Sequence, residues 1–231
     1  MPRPSRNQDR ALLAAGRALL PVTGCAGLTI RQVAQAARVN SGMFHYHFKT
    51  REAFLRAVMQ ATYEEMFARL TFEVAHPREA SAGEHLRSAF RVLGRFLRDN
   101  RAFIARILAD AMAGEAVARD FLRDNLPRHL AVLTQLIGAG QASGELRRMP
   151  TAQALGFCGG ALAMPILVGG AISESGALPK APARALAATL LANDAIDQRI
   201  DLALAALAGS GRAPRIKKTR KLEVSKPRGP A

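Results

Sequence analysis

The segment Leu28–Arg51, LTIRQVAQAARVNSGMFHYHFKTR, decides the fold of this chain. It reads as two short helices joined by a tight turn. Thr29 suits the N-cap of the first, whose Val33, Ala34 and Ala37 recur at helical spacing. Arg38-Val39-Asn40 breaks that pattern. Asn40 or Ser41 can cap a second helix by accepting from its free N–H groups, and Gly42 permits close approach of the backbone. On this second helix Phe44 and Phe48 are four apart and share one face, while Ser41, Met43, His45 and Tyr46 point elsewhere. So short a helix is unstable alone, which requires the two phenylalanines to be buried against neighbouring helices. The opposite face is then a small, polar ridge of the kind that reads a DNA groove.

These residues resemble the helix-turn-helix of TetR-family transcriptional regulators. That family places a Thr at the start of its second helix, an Ala-Gly-Val-Ser turn, then Gly-x-(Leu/Ile)-Tyr-x-(His/Tyr)-Phe and a basic or small-residue start to a fourth helix. The chain agrees at Thr29, Ala34, Ala37, Val39, Gly42, His47, Phe48 and Glu52, with Asn40 and Phe44 as mild variants. It departs at Arg38, where the family usually has Gly, and at His45, where it usually has Tyr. Arg38 implies either a turn without positive φ or tolerated strain; His45 alters a phosphate or base contact. The specific likeness ends near Glu65, and beyond it only the architecture is similar.

The resemblance implies an all-α fold of about nine helices. A three-helix helix-turn-helix DNA-binding domain over 6–66 precedes a helical effector-binding and dimerisation domain over 67–208, with a basic disordered tail over 209–231. The implied function is a ligand-responsive repressor that binds a palindromic operator as a dimer. By the same resemblance, Thr29, Tyr46, Lys49 and Arg51 hold phosphates, where free N–H groups and positive charge act together. Arg31, Ser41, Gly42, Met43 and His45 face the groove. Met43 can touch a thymine methyl and Arg31 can pair with guanine. Asn40 at the turn and His47 complete the DNA-facing set, although His47, three residues after Phe44, can equally tuck beside the core. Candidate lining residues of an effector pocket are Met66, Phe67, Phe90, Phe103, Met112, Phe121 and Phe157, each of which also suits ordinary core packing. Few of them are polar, so the effector expected is apolar or aromatic.

Composition agrees with this division. The formal net charge is +15. Residues 1–60 carry nine basic and two acidic groups and residues 212–231 carry eight and one, leaving the middle nearly neutral. A polyanion partner is therefore expected at the ends and not at the body. Cys25 and Cys158 have no metal-ligand spacing and read as reduced thiols of a cytoplasmic, nucleoid-associated protein. The amino-terminal arginines followed by ALLAAGRALLPVTGC resemble a lipoprotein leader, but Arg17 interrupts the apolar run and Asp9 sits in its basic part.

In chain order, residues 1–5 read as a loose basic arm. A first helix spans Arg6 to Leu20 and ends at Pro21 and the loop VTGCAG. The fourth helix opens at Lys49–Glu52, with Leu55, Met59, Thr62, Met66 and Leu70 inward. Helices follow at Ala82–Arg98, Arg101–Met112 and Ala116–Gly138, with Pro127 a kink or boundary and Gly138–Gly144 a break. In the second of these, Phe103, Ile107 and Asp110 continue an inward stripe. Met149–Ser173 contains no charged residue. It is long enough for a membrane span but holds five Gly between Gly156 and Gly170, with Pro150 and Pro165. Gly156 and Gly160 form a small-residue ridge for close helix packing. With Ala183–Leu207 as a partner helix, the stretch reads as a subunit interface: a homodimer through the helices at 151–172 and 183–207, and no membrane.

No catalytic constellation is present: there is no metalloprotease motif, phosphate-binding loop, nucleophile elbow or cysteine cluster. His45 and His47 diverge by about 200° around a helix and cannot chelate one ion together. His76, His85 and His129 read as exposed or partly packed. No enzyme activity, cofactor or metal is expected. Two other classes compete: an architectural DNA binder, which accounts for the charge but not the recognition unit, and a membrane-associated protein, which accounts for 149–173 alone. Lys226-Pro227-Arg228-Gly229-Pro230 in the tail faintly resembles an AT-hook core without its second Arg, and an extra DNA arm is as good a reading there as a solubilising tail.

Overall fold

The computed structural model describes residues 6–75 and 81–209. They form ten helices: α1 (Arg6–Gly27), α2 (Ile30–Ala37), α3 (Ser41–Phe48), α4 (Arg51–Ala75), α5 (Ala82–Asp99), α6 (Arg101–Met112), α7 (Ala116–Ala142), α8 (Thr151–Glu174), α9 (Lys180–Leu191) and α10 (Asn193–Leu207). The expected basic arm at 1–5, His76 and nearly all of the expected tail lie outside the described residues.

The all-α expectation holds, and the inward residues of α4, Leu55, Met59, Thr62, Met66 and Leu70, are all buried. Several boundaries differ. Helix α1 does not stop at Pro21 but continues to a kink at Gly24, where φ is 68° and ψ 176°. Proline at that position forfeits only the bond to the Arg17 carbonyl, and Thr23 Oγ1 donates back to Leu19 O at 3.1 Å. Likewise Pro127 lies inside α7 on an exposed face, where solvent can satisfy the released Arg123 carbonyl.

The break expected from Gly138 begins only after Ala142. Gly140 is helical and buried because Leu146 folds back onto it: a Cβ there would lie 2.7 Å from the leucine Cδ1. The turn itself is made by Gly144 at φ 79°. The single helix expected over 183–207 is two, because extended backbone at Ala192 (φ −62°, ψ 150°) separates α9, which lies along α8, from α10, which packs on both α8 and α5. Arg87–Asp201 (2.9 Å) and Arg91–Asp197 (3.1 Å) bridge α5 to α10.

Two apolar clusters organise the chain. One, in the body, joins Tyr63, Met66 and Leu70 of α4 to Leu86, Phe90, Leu133, Ile137, Leu162, Ile166, Ile196 and Ile200. The other gathers Leu12, Leu20, Leu28, Val33, Phe44, Phe54, Leu55 and Val58 of α1–α4, and continues into Phe103, Ile107, Val117 and Ala118 of α6 and α7. The amino-terminal unit thus shares its core with the body, and α4 runs through both.

Candidate DNA interface and effector cavity

Thr29 caps α2 through a reciprocal pair: Gln32 N donates to Thr29 Oγ1 (3.3 Å) and Thr29 N to Gln32 Oε1 (2.9 Å). Arg38 ends that helix in the left-handed region (φ 56°, ψ 40°), so of the two alternatives the strained turn is realised. Its N–H is within reach of Ala34 O and Gln35 O. Asn40 rather than Ser41 caps α3, Oδ1 accepting from Gly42 N at 2.5 Å. Thr50 caps α4, accepting from Ala53 N at 3.1 Å, a role the sequence reading overlooked.

Phe44 is fully buried, its ring centroid 4.9 Å from Phe54 and 5.8 Å from Phe48. Burying such a side chain contributes roughly 1.5–3 kcal/mol, which anchors an eight-residue helix that lacks intrinsic stability. The opposite face is open: Ser41, Gly42, His45, Tyr46 and Lys49 are exposed, as are Thr29, Arg31 and Asn40 at the flanks. Met43 and His47 are half-buried, and His47 Nε2 is buried without a hydrogen-bond partner, agreeing with the packed alternative for that residue. His45 Nδ1 lies 3.3 Å from Lys49 O, and Lys49 itself takes φ 60°. Arg51 is engaged internally: its guanidinium donates to the Cys25 and Ala26 carbonyls and pairs with Glu52 at 3.3 Å. Of the proposed phosphate ligands it is the least free.

A polar joint also ties this unit to the body. The kink at Gly24 presents Cys25 N to the buried Asp110 on α6, Oδ2 accepting at 2.7 Å, while Arg106 pairs with Asp110 Oδ1 at 2.9 Å. The Arg106 guanidinium occupies the space that a Cβ on Gly24 would fill. Asp110 therefore belongs to the inward stripe, as a hydrogen-bonded acid among apolar neighbours. Burial, assisted by Asp110, pushes the Cys25 thiol up to about 12, and burial alone pushes Cys158 to about 11. Neither is a reactive thiolate.

Helices α4–α8 line a partly open cavity of about 320 Å³. Met66, Phe90, Phe103 and Phe121 line it as anticipated. Phe67, Met112 and Phe157 do not. Phe67 stacks on Tyr63 outside it with Arg128 over its ring, whereas Met112 and Phe157 are 84% and 49% exposed. Helical phase explains Met112 and Phe157, which lie on faces turned from the interior, whereas Phe67 is partly buried at the edge of the body cluster beside Tyr63.

The polar lining, Thr62, Tyr63, Asn125 and His129, was not foreseen. The signal was there: Phe121, Asn125 and His129 recur every four residues, so two polar groups continue an apolar stripe. Tyr63 Oη donates to Asn125 O at 2.8 Å and lies 3.3 Å from His129 Nδ1. Burial holds the Tyr63 phenol up at about 12 and pushes His129 below the ordinary histidine range. Outside, Arg128 pairs with Glu64 at 2.6 Å and keeps that carboxyl below its usual value.

Helix α8 buries Ala154, Cys158, Leu162 and Ile166 but exposes Phe157, Met164, Val168 and Ile172 on one outward stripe. Its Gly156 and Gly160 have nothing within 4 Å of where a Cβ would lie. By length and composition it is long and apolar enough to cross a membrane. Its inner face, however, is packed against α5, α6, α7 and α10.

A capped, exposed short helix thus stands on an all-helical body with an internal cavity. Residues 12–58 match the family described as bacterial regulatory proteins, tetR family. Similar solved structures include a tetR-family regulatory protein of Rhodococcus RHA1 (18% identity, 89% of this chain and 100% of that one, TM-score 0.63). A TetR family regulator, PfmR of Thermus thermophilus, aligns at 19% identity over 84% and 96% of the two chains, with TM-score 0.63. Bacillus subtilis FadR in complex with stearoyl-CoA aligns at 16% identity over 80% and 98%, with TM-score 0.59. No curated protein sequence matches significantly. The amino-terminal unit thus matches the tetR-family model over residues 12–58, and the whole chain shares the fold of solved TetR-family regulators.

Proposed function

We propose that the protein is a ligand-responsive repressor that binds a palindromic operator as a homodimer, from the cytoplasm. The exposed face of α3 opposite a fully buried Phe44 carries this reading, because it leaves Ser41, Gly42, His45, Tyr46 and Lys49 free at a capped helix. Tyr46 and Lys49 hold phosphates with Thr29; Arg31, Met43 and His45 read base edges. The outward stripe of α8 meets its copy in a second subunit, with α9 and α10 beside it, so that two recognition helices reach half-sites about 34–36 Å apart. The cavity takes the effector. That FadR, of the same fold, binds stearoyl-CoA supports an effector among these helices, and α4, running from cavity to α3, is the lever by which occupancy alters DNA spacing.

Selection of bound fragments from a genomic library, followed by footprinting, tests this reading. One protected palindrome is expected, whereas diffuse coverage identifies an architectural binder. Tyr46→Ala and Lys49→Ala should weaken binding to all sequences and flatten its salt dependence. Val168→Asp should give a monomer.

A further inference from the structure

The effector cavity has an unusual polarity. Helices α5, α6 and α8 contribute only apolar side chains and a glycine to its wall, and the polar atoms come from α4 and α7. Most of these are already engaged. Thr62 Oγ1 donates to Val58 O at 2.9 Å. Asn125 Nδ2 donates to Gln60 Oε1 and Phe121 O, both at 3.0 Å, while its Oδ1 accepts from Gln60 Nε2 and Arg128 Nη1, both at 3.1 Å. The single Tyr63 hydroxyl proton is directed to Asn125 O at 2.8 Å.

His129 is the exception. With the Tyr63 proton assigned to the shorter contact at Asn125 O, and with the His129 ring also hydrogen-bonded to the Asn125 backbone, the 3.3 Å contact between Tyr63 Oη and His129 Nδ1 is assigned with Nδ1 as donor. Nε2 then carries a lone pair and has no partner among the described residues. The charged groups nearest this histidine, Glu64 on α4 and Arg128 on α7, neutralise each other at 2.6 Å outside the wall, with Arg128 against the outer faces of Tyr63 and Phe67. No uncompensated cation lines the chamber. A carboxylate or phosphate entering it would meet a lone pair and lose its hydration without a counter-charge.

We propose that the cavity takes an uncharged, largely apolar effector with one hydroxyl or N–H donor, which His129 Nε2 accepts. This class covers long-chain or terpenoid alcohols and phenols. It rests on the effector reading above and adds the sign and number of the polar contacts. Titration follows from the same geometry: burial already favours the neutral ring, and protonation removes the acceptor that Nε2 offers among the described lining residues. Tyr63, Glu64 and Arg128 are the titratable groups that face it.

Calorimetric titration of the full-length protein with decanol, decanoate and decyl methyl ether, each below its solubility limit, tests the assignment. At pH 8 decanol should bind about tenfold more tightly than the ether, the worth of one hydrogen bond near 1.4 kcal/mol, and decanoate more weakly still. His129→Leu should abolish the preference for decanol over the ether while both continue to bind; His129→Gln, which restores an acceptor oxygen, should retain part of it. Lowering the pH toward 5 should erase the preference in the parent protein and leave His129→Leu unchanged. Decanoate binding as tightly as decanol, or a preference that survives His129→Leu, overturns the proposed ligand class while leaving the cavity as the effector site. Failure of all three probes to bind overturns both.

Discussion

Asp110 is the most informative residue to perturb, because its side chain is a buried polar link between the amino-terminal unit and the body. Its carboxylate accepts from Cys25 N at 2.7 Å and pairs with Arg106, and its side chain is 6% exposed. Asp110→Ala removes a buried hydrogen bond to a charged acceptor, worth about 1.5–3 kcal/mol, and strands the Cys25 N–H. Arg106 is 38% exposed, so its half of the pair adds little after solvent screening. The net loss expected is about 3 kcal/mol, or roughly 6–12 °C in Tm for a chain of this size. Asp110→Asn keeps an acceptor oxygen for Cys25 N and should lose less than half as much. Thermal unfolding followed by circular dichroism, at one fixed protein concentration because association shifts Tm, measures both variants. DNA affinity should fall with stability in Asp110→Ala, since the start of α2 is held through this joint. A melting point within about 2 °C of the parent, or an Asn variant as damaged as the Ala variant, would show that the joint is not what docks α1 on α6.

Arg38→Gly should raise stability by up to about 1 kcal/mol, because the left-handed conformation at φ 56° costs a side-chain-bearing residue more than glycine; urea unfolding reads this directly, and a loss of stability would contradict it. Gly140→Ala should destabilise by about 1–3 kcal/mol, since the new methyl meets Leu146 at 2.7 Å at the packed end of α7, whereas Gly156→Ala, which meets nothing within 4 Å inside α8, should stabilise the monomer by about 0.5–1 kcal/mol through helix propensity. Glu145 accepts from Gly83 N (3.0 Å) and Ala82 N (3.3 Å) at the start of α5, and these bonds hold its carboxyl below the ordinary value of 4.5. A depressed folded pKa means stabilisation present above pH 4.5 and lost as pH falls through the lower folded value, so Glu145→Gln should flatten the acid limb of the stability profile and leave its shape near neutrality unaltered.

The recognition unit was legible in the sequence because its determinants are local. A cap and its partner lie three residues apart at Thr29 and Gln32, an anchoring pair lies four apart at Phe44 and Phe48, and a fourth-helix stripe repeats from Leu55 to Leu70. The phrase Gly144-Glu145-Leu146-Arg147 was visible too, but its meaning was not. Glu145 caps α5, Leu146 fills the notch at Gly140, and Arg147 N donates to Leu207 O at 2.8 Å, each acting on residues distant in the chain.

What the chain alone determined, then, was every feature set by spacing within one or two turns: helix type, the buried and open faces of α3, and the apolar character of α8. Tertiary structure alone decided which prolines and glycines are tolerated inside α1 and α7, which aromatic residues reach the cavity, and how Asp110 and His129 are used. Periodicity records that a side chain faces inward. It does not record the helix it meets there, and that neighbour determines whether a glycine is a break or a seat for Leu146, and whether a half-buried histidine faces solvent or lines a cavity.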